Sequence, residues 1–153
     1  MQSRIILELI AFEDLATDYE RGLIYAPGDD RSWWSSFKIS NGMKTKQGKV
    51  YAFHIDSEHF DNLPLTGYPY EHFHPLGVDL FKGKIDQVNQ IDFIRESIEI
   101  RCFQLFIVNY RIDHEQIIGT VEIFQVDSGK NGQLKWMESV VHPLFTGTRL
   151  MGK

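Results

Sequence analysis

The feature that most constrains the fold is the segment at residues 98–112, which is the strongest strand signal in the chain. Its centre, Cys102 to Val108, is apolar apart from Gln104. A continuous apolar run rich in β-branched and aromatic residues is typical of a central strand covered on both faces. The run therefore predicts a sheet with this segment near its middle.

Turn signals after this run predict an antiparallel meander of three strands. Residues 113–115 (DHE) form the first predicted turn, which leads into a strand at 116–126. Residues 127–132 (DSGKNG) supply the glycines and the asparagine that a hairpin loop needs, and a strand over 134–142 follows. Two earlier strands are predicted at 33–39 and 49–55.

The other segments are expected to be helical or irregular. Apolar residues at helical spacing favour a helix over residues 3–20, although 4–12 alone also fits a strand. A short helix is expected within 79–93. Residues 56–77 are predicted to be a long ordered loop, and 144–153 an irregular tail.

These elements predict one domain covering residues 1–153, which is the usual length of a single domain. The expected fold class is α+β and mostly β. It would be a single curved antiparallel sheet or half-open barrel with one or two helices packed on it.

Charge and hydropathy argue against several functional classes. The net charge is −5 and no basic cluster is present, which disfavours nucleic-acid binding. No apolar window approaches the roughly 18 residues of a membrane span. The lone Cys102 and the lack of a signal peptide favour a cytoplasmic protein.

Residues 8–30 carry seven carboxylates against Arg21 alone, which predicts either a solvated face or a surface that attracts a basic partner.

The stretch 59–75 holds three of the six histidines and three of the five prolines. On an extended segment His72 and His74 point the same way, and two imidazoles can hold a divalent metal ion with a third ligand. Packing within the loop is the alternative. The pair resembles the first motif of the cupin family, which implies a cupin-like histidine site. However, Gly67 is one position too close to His72, and Asp79 stands in place of a Glu, so the chain is not assigned to that family.

Three further residues are candidates for acid/base catalysis. Glu138 and His142 share one face of the predicted strand 134–142, and His54 lies on another predicted strand. A carboxylate and an imidazole on an apolar face can act as a proton-transfer pair when the face is enclosed. If the face meets water instead, the two side chains are simply solvated at the end of a sheet.

Aromatic residues with polar tips predict a ligand-binding surface where they are exposed, and the alternative is that they belong to the core. The candidates are Trp33, Trp34, Tyr68, Tyr70 and Phe73. Two functions therefore follow from the sequence. One is a binding domain that recognises a protein partner or a small ligand. The other is a metal-dependent or acid/base enzyme acting on a small molecule, whose cofactor would be a divalent metal ion. The sequence gives no indication of the oligomeric state.

Overall fold

The computed structural model describes residues 11–29, 47–85, 100–113, 116–127 and 132–149. These ranges form β-strands and contain no helix. The strands are β1 (Ala11–Phe12), β2 (Ala16–Asp18), β3 (Leu23–Asp29), β4 (Lys49–His54), β5 (His59–Leu63), β6 (Leu65–Thr66), β7 (His74–Ile85), β8 (Ile100–Asp113), β9 (Gln116–Val126) and β10 (Leu134–Arg149).

The strands form two sheets, and neither is closed into a barrel. The N-terminal sheet has the order β1-β3-β4-β5, with β2 also paired to β3, and all its pairs are antiparallel. The C-terminal sheet has the order β6-β10-β9-β8-β7. It is antiparallel except for the short β6, which runs parallel to β10.

One hydrophobic core lies between the two sheets, because side chains alternate along each strand and every other one points inward. Both sheets contribute fully or almost fully buried side chains. They include Tyr25, Val50, Ala52 and Leu63 from the N-terminal sheet, and Leu105, Ile107, Phe124 and Leu134 from the C-terminal sheet.

The predicted fold class is wrong, because the described residues form two sheets rather than one sheet with packed helices. Residues 16–18 pair with β3, and residues 79–85 belong to β7. In β7 the side chains of Val78 and Leu80 face the core while Asp79 and Phe81 are exposed, and this alternation is that of a strand, not of a helix. Pairing with neighbouring strands therefore overrides the local helical spacing. Residues 3–10, 33–39 and 86–93 lie outside the described ranges.

Two segments predicted to be irregular contain strands. The stretch 56–77 includes β5, which pairs with β4, and β6, which pairs with β10. The last strand, β10, continues through residues 144–149. Strand β6 depends on a partner far along the chain, and β10 continues along its ladder with β9 through two register shifts. Neither feature is visible in local composition.

The predicted strands at 49–55, 116–126 and 134–142 are confirmed, as is the strand at 98–112 over its described residues from 100 onwards. The antiparallel meander of the last three strands is also confirmed. The strand β8 lies between β9 and β7, as expected of a central strand. It is well covered on one face only, because Leu105 and Ile107 are buried whereas Val108 is 42% exposed. In the described part of the chain, no helix has the length and hydropathy needed to cross a membrane.

Candidate functional site

A network of buried polar side chains crosses the centre of the molecule, and Asn109 on β8 is its hub. The Oδ1 atom of Asn109 accepts a hydrogen bond of 2.6 Å from the backbone N–H of His74. Its Nδ2 lies 3.1 Å from the hydroxyl of Tyr68 and 3.3 Å from Oε1 of Glu122. Asn109 therefore fastens the segment around Tyr68 and His74 to the inner face of the C-terminal sheet.

Glu122 is fully buried on β9, and hydrogen bonds occupy both of its carboxylate oxygens. Oε1 accepts from Thr120 Oγ1 at 2.7 Å and from Asn109. Oε2 accepts from Trp136 Nε1 at 3.0 Å and from Ser139 Oγ at 2.5 Å. A carboxylate offers about four acceptor positions, so four donors compensate for its loss of water and leave little capacity for a substrate.

A β-bulge in β10 directs two of these donors at Glu122. Trp136 pairs with Phe124, whereas Ser139 pairs with Glu122, and the register shifts between Trp136 and Glu138. The extra residue lets Trp136 and Ser139 both face inward. Glu138 is instead exposed and pairs with Ile123, so it does not share a face with Trp136 as the sequence predicted.

A second buried contact joins the two sheets through His74 and Asp29. The Nδ1 atom of His74 lies 3.2 Å from each carboxylate oxygen of Asp29, and the two side chains are 0% and 1% exposed. A carboxylate at Nδ1 fixes the orientation and tautomer of an imidazole. Because both groups are enclosed between the sheets, a dissolved substrate has no access to them in this conformation.

The two histidines predicted to hold a metal lie beside each other but differ in burial. His72 is half-buried, and its ring lies 6.2 Å from that of His74 in a stacked arrangement. Its backbone carbonyl accepts a hydrogen bond from the hydroxyl of Tyr68. Within the described ranges, no group of three or more His, Cys, Asp or Glu side chains is placed so that it could hold a metal ion.

The structure places His54 in an exposed cluster at the end of the β4–β5 hairpin. Its Nε2 lies 2.8 Å from Oδ2 of Asp61, and Nε2 of His59 lies 3.0 Å from Oδ1 of the same carboxylate. The hydrogen bond from His54 is the main reason that the pKa of Asp61 lies below its usual value. The side chain of the other predicted partner, His142, lies outside the described part of the structure.

Most of the predicted ligand-binding aromatics that the structure describes belong to the packed interior. Phe73 is fully buried, and the ring centroid of Tyr68 lies 5.3 Å from that of Phe73. Burial is the main reason that the pKa of Tyr68 lies above its usual value. Tyr70 is 37% exposed, and the guanidinium of Arg111 lies 3.9 Å from its ring centroid. Trp33 and Trp34 lie outside the described residues.

A third polar cluster ties the short strand β2 to β7. Asp18 is fully buried and accepts hydrogen bonds from Arg21 and, at 2.6 Å, from Lys82. The guanidinium of Arg21 also lies 3.8 Å from the ring centroid of Phe103. Burial alone would raise the pKa of Asp18, but the two bases outweigh burial and hold that pKa below its usual value.

The outer face of the N-terminal sheet carries an apolar groove. Ile24 on β3, Phe53 on β4 and Phe60 on β5 are direct cross-strand neighbours, and the ring centroids of Phe53 and Phe60 are 4.7 Å apart. They form the floor of a groove of about 350 Å³, which we call the aromatic groove. The described residues that line it are Glu13, Asp14, Leu15, Ile24, Ala26, Phe53 and Phe60.

Sequence reasoning missed most residues of the buried network and of the groove. Thr120 and Glu122 are polar at alternate positions of a strand that is otherwise largely apolar, and this pattern could have indicated an inward polar pair. Asn109 and Asp29 carry no such signal. The groove includes Glu13 and Asp14, which belong to the acidic stretch that the sequence singled out.

Comparison of the chain with models of known protein families and with curated protein sequences gives no match. In the described part of the chain, the buried polar network and the aromatic groove are candidate functional sites, and the physical chemistry of their residues decides between them.

Proposed function

We propose that this protein is a non-enzymatic binding domain that recognises a protein partner through the aromatic groove. The observation that carries the proposal is the exposure of the apolar side chains that line it. Leu15 is 57% exposed and Phe60 is 49% exposed, although both border a concave surface. Exposed apolar patches rimmed by polar residues are typical of interaction sites.

The state of the buried polar groups supports binding rather than chemistry. A general acid or base must come within hydrogen-bonding distance of a reacting atom. The carboxylate of Glu122 accepts from four protein donors, and His74 and Asp29 are enclosed between the sheets. These groups have the environment of a structural network that fixes how the sheets pack.

The chemistry of the groove favours a macromolecular partner. Its volume of about 350 Å³ is near the lower limit for small-molecule sites, which also enclose most of their ligand. Here the aromatic floor lies on the outer face of an open sheet. Such a surface suits side chains projecting from another protein, because aromatic residues contribute much of the free energy of protein association.

The test compares affinity capture with three immobilised baits, namely the native protein, Phe60→Ser and Phe81→Ser. Phe81 is a matched control, since it is 55% exposed and lies on the other sheet. We expect a partner captured equally by the native protein and the control, and at least tenfold less by Phe60→Ser. Equal capture of every partner by all three baits would overturn the proposal. Thermal melts must first show that both variants are folded.

A further inference from the structure

We infer that Arg111 and Tyr70 form a second binding site, which takes the carboxylate group of a small organic acid. Arg111 lies on β8 of the C-terminal sheet, whereas the aromatic groove lies on the outer face of the N-terminal sheet, so the inference does not rest on the proposed function. It follows from a buried cationic donor without an acceptor, from the ring that orients this donor, and from the charges around it.

The side chain of Arg111 carries a hydrogen-bond donor that the protein leaves unsatisfied. Its Nη1 atom is buried and has no hydrogen-bond partner within the described part of the chain. Among the described side chains, no carboxylate forms an ion pair with this guanidinium. A buried donor on a charged group that has lost water without gaining an acceptor is unfavourable. A ligand that supplies both the acceptor and the negative charge would therefore be stabilised by removing this cost.

The ring of Tyr70 decides from which direction the acceptor approaches. The guanidinium carbon of Arg111 lies over this ring, 3.9 Å from its centroid. Such a cation–π contact covers one face of the planar guanidinium and holds the group in one orientation. The N–H groups point outward in the guanidinium plane, where two parallel hydrogen bonds match the two oxygens of a carboxylate.

The charges near Arg111 favour a carboxylate over a phosphate. Burial, and then the charge of Glu122, raise the pKa of Tyr68, whereas the charge of Arg111 lowers it. Both charges therefore act on the region of the Tyr68 hydroxyl. Glu122 does not neutralise Arg111 directly, because its oxygens accept from four neutral donors. One guanidinium near a second carboxylate balances a single negative charge better than the nearly double charge of a phosphate.

The surroundings of the site favour an acid with an aromatic body. Tyr70 lies between β6 and β7 and is 37% exposed, so its ring can shift and open Nη1 to a ligand without breaking a strand. The ring centroid of Trp136 lies 6.4 Å from that of Tyr70, in an edge-to-face arrangement. Aromatic rings pack favourably against one another, and an aromatic acid would extend this pair.

The experiment measures binding of benzoate, benzamide and inorganic phosphate to the whole protein by isothermal titration calorimetry at constant ionic strength. Benzamide has nearly the shape of benzoate but no charge, so it isolates the role of the carboxylate. We expect saturable binding of benzoate, and at least tenfold weaker binding of both benzamide and phosphate.

Four variants locate the binding. Arg111→Gln should weaken benzoate binding at least tenfold. Arg111→Lys should do the same, because an ammonium group keeps the charge but cannot donate two parallel hydrogen bonds. Lys135→Gln is the matched control, since Lys135 is an exposed cation on the same sheet, and it should leave binding unchanged. Phe60→Ser should also leave it unchanged, because Phe60 lines the other site.

Several results would overturn the inference. They are no saturable binding of benzoate, equal binding of benzoate and benzamide, or binding that both Arg111 variants retain. Phosphate binding more tightly than benzoate would show that the class of ligand is wrong. Loss of benzoate binding in Phe60→Ser would place the acid in the aromatic groove instead. If neither Arg111 variant folds, the Nε–H resonance of Arg111 in the native protein is measured, and it should shift with benzoate but not with benzamide. An unshifted resonance would exclude the site.

Discussion

At the scale of single residues, the buried carboxylates of Glu122 and Asp18 are stable because each acquires partners that replace water. Glu122 does so with four neutral donors, and Asp18 with two bases. These two kinds of buried carboxylate respond differently to mutation. A carboxylate held by neutral donors contributes to stability through the number of hydrogen bonds it accepts. A carboxylate held by bases contributes through its negative charge.

Glu122→Gln tests the carboxylate that is held by neutral donors. The amide keeps one acceptor oxygen but turns an NH₂ group towards donors that the lost oxygen accepted from, so buried donors lose their partners. We expect the free energy of unfolding to fall by about 2 kcal/mol, measured by urea denaturation at pH 7. The exposed Glu138 is the control. Glu138→Gln should change stability by less than about 0.5 kcal/mol. Equal effects of the two substitutions would contradict the structural role of Glu122.

Asp18→Asn tests the carboxylate that is held by bases, through the pH dependence of the free energy of unfolding. The folded-state pKa of Asp18 lies below the unfolded value of about 3.9. Its stabilising contribution is therefore complete above that value and is lost as the pH falls through the lower, folded-state pKa. At pH 7 the substitution should cost about 1–3 kcal/mol, because Arg21 and Lys82 lose their counter-ion.

The measurement for Asp18 is the difference in the free energy of unfolding between the native protein and Asp18→Asn, at pH 7 and below pH 3. Other carboxylates titrate equally in both proteins, so the difference isolates Asp18. It should shrink as the pH falls, since protonated Asp and Asn carry the same charge. A difference that is constant with pH would show that the charge of Asp18 does not stabilise the fold.

At the scale of secondary-structure elements, the local amino-acid pattern predicted the strands of the C-terminal meander. The strands of the meander β8–β9–β10 are separated by few residues and each has a clear apolar pattern, so both the strands and their order follow from the sequence. The two-residue strands β1 and β6 instead pair with segments further along the chain, β3 and β10. Their extended conformation is imposed by those partners, and no local propensity encodes it.

For the candidate sites too, the sequence indicated a local feature but not its distant partners. The unusual composition around His72 and His74 correctly marked a segment with a special environment, because both residues contact the polar network at the centre of the molecule. Their partners could not be predicted, since Asn109 and Asp29 come from different strands of different sheets. The metal site and the Glu138–His142 pair remain predictions of the sequence that the described geometry does not support.

Gly48→Ala tests the contact at which β4 begins beside the start of β7. A Cβ atom there would lie 2.4 Å from Cδ of Pro75 and 2.9 Å from the carbonyl oxygen of Phe73, which also accepts the Gly48 N–H. These neighbours are rigid, so the sheets must move apart locally. We expect a loss of about 1–3 kcal/mol in the free energy of unfolding, measured by urea denaturation.

Gly77→Ala is the control for Gly48→Ala. A Cβ at Gly77 would meet its nearest neighbour, a methyl group of Val108, at the ordinary distance of 3.5 Å. This variant should be within about 0.5 kcal/mol of the native protein. If Gly48→Ala proved equally mild, the approach between β4 and the start of β7 would be looser than described.

At the scale of the whole molecule, the two sheets are joined by contacts of three kinds. The chain passes from β5 of the N-terminal sheet to β6 of the C-terminal sheet through Pro64, whose carbonyl accepts from the backbone N–H of Leu134. The pairs His74–Asp29 and Lys82–Asp18 connect the sheets through side chains. Apolar residues from both sheets form one cluster. Unfolding of either sheet would therefore expose the buried face of the other sheet to water.

Leu63→Ala tests whether the sheets unfold together. Leu63 lies on β5 and is 6% exposed within the shared core, so its truncation should cost about 2–4 kcal/mol. If the core is cooperative, the most slowly exchanging amides of β8 and β9 should lose as much protection as those of β3 and β4, as measured by native-state hydrogen exchange. Leu15→Ala is a matched control, because Leu15 is 57% exposed at the groove, and it should leave protection nearly unchanged. Loss of protection confined to the N-terminal sheet would instead mean that this sheet, with its groove, opens as an independent unit while the C-terminal meander stays folded.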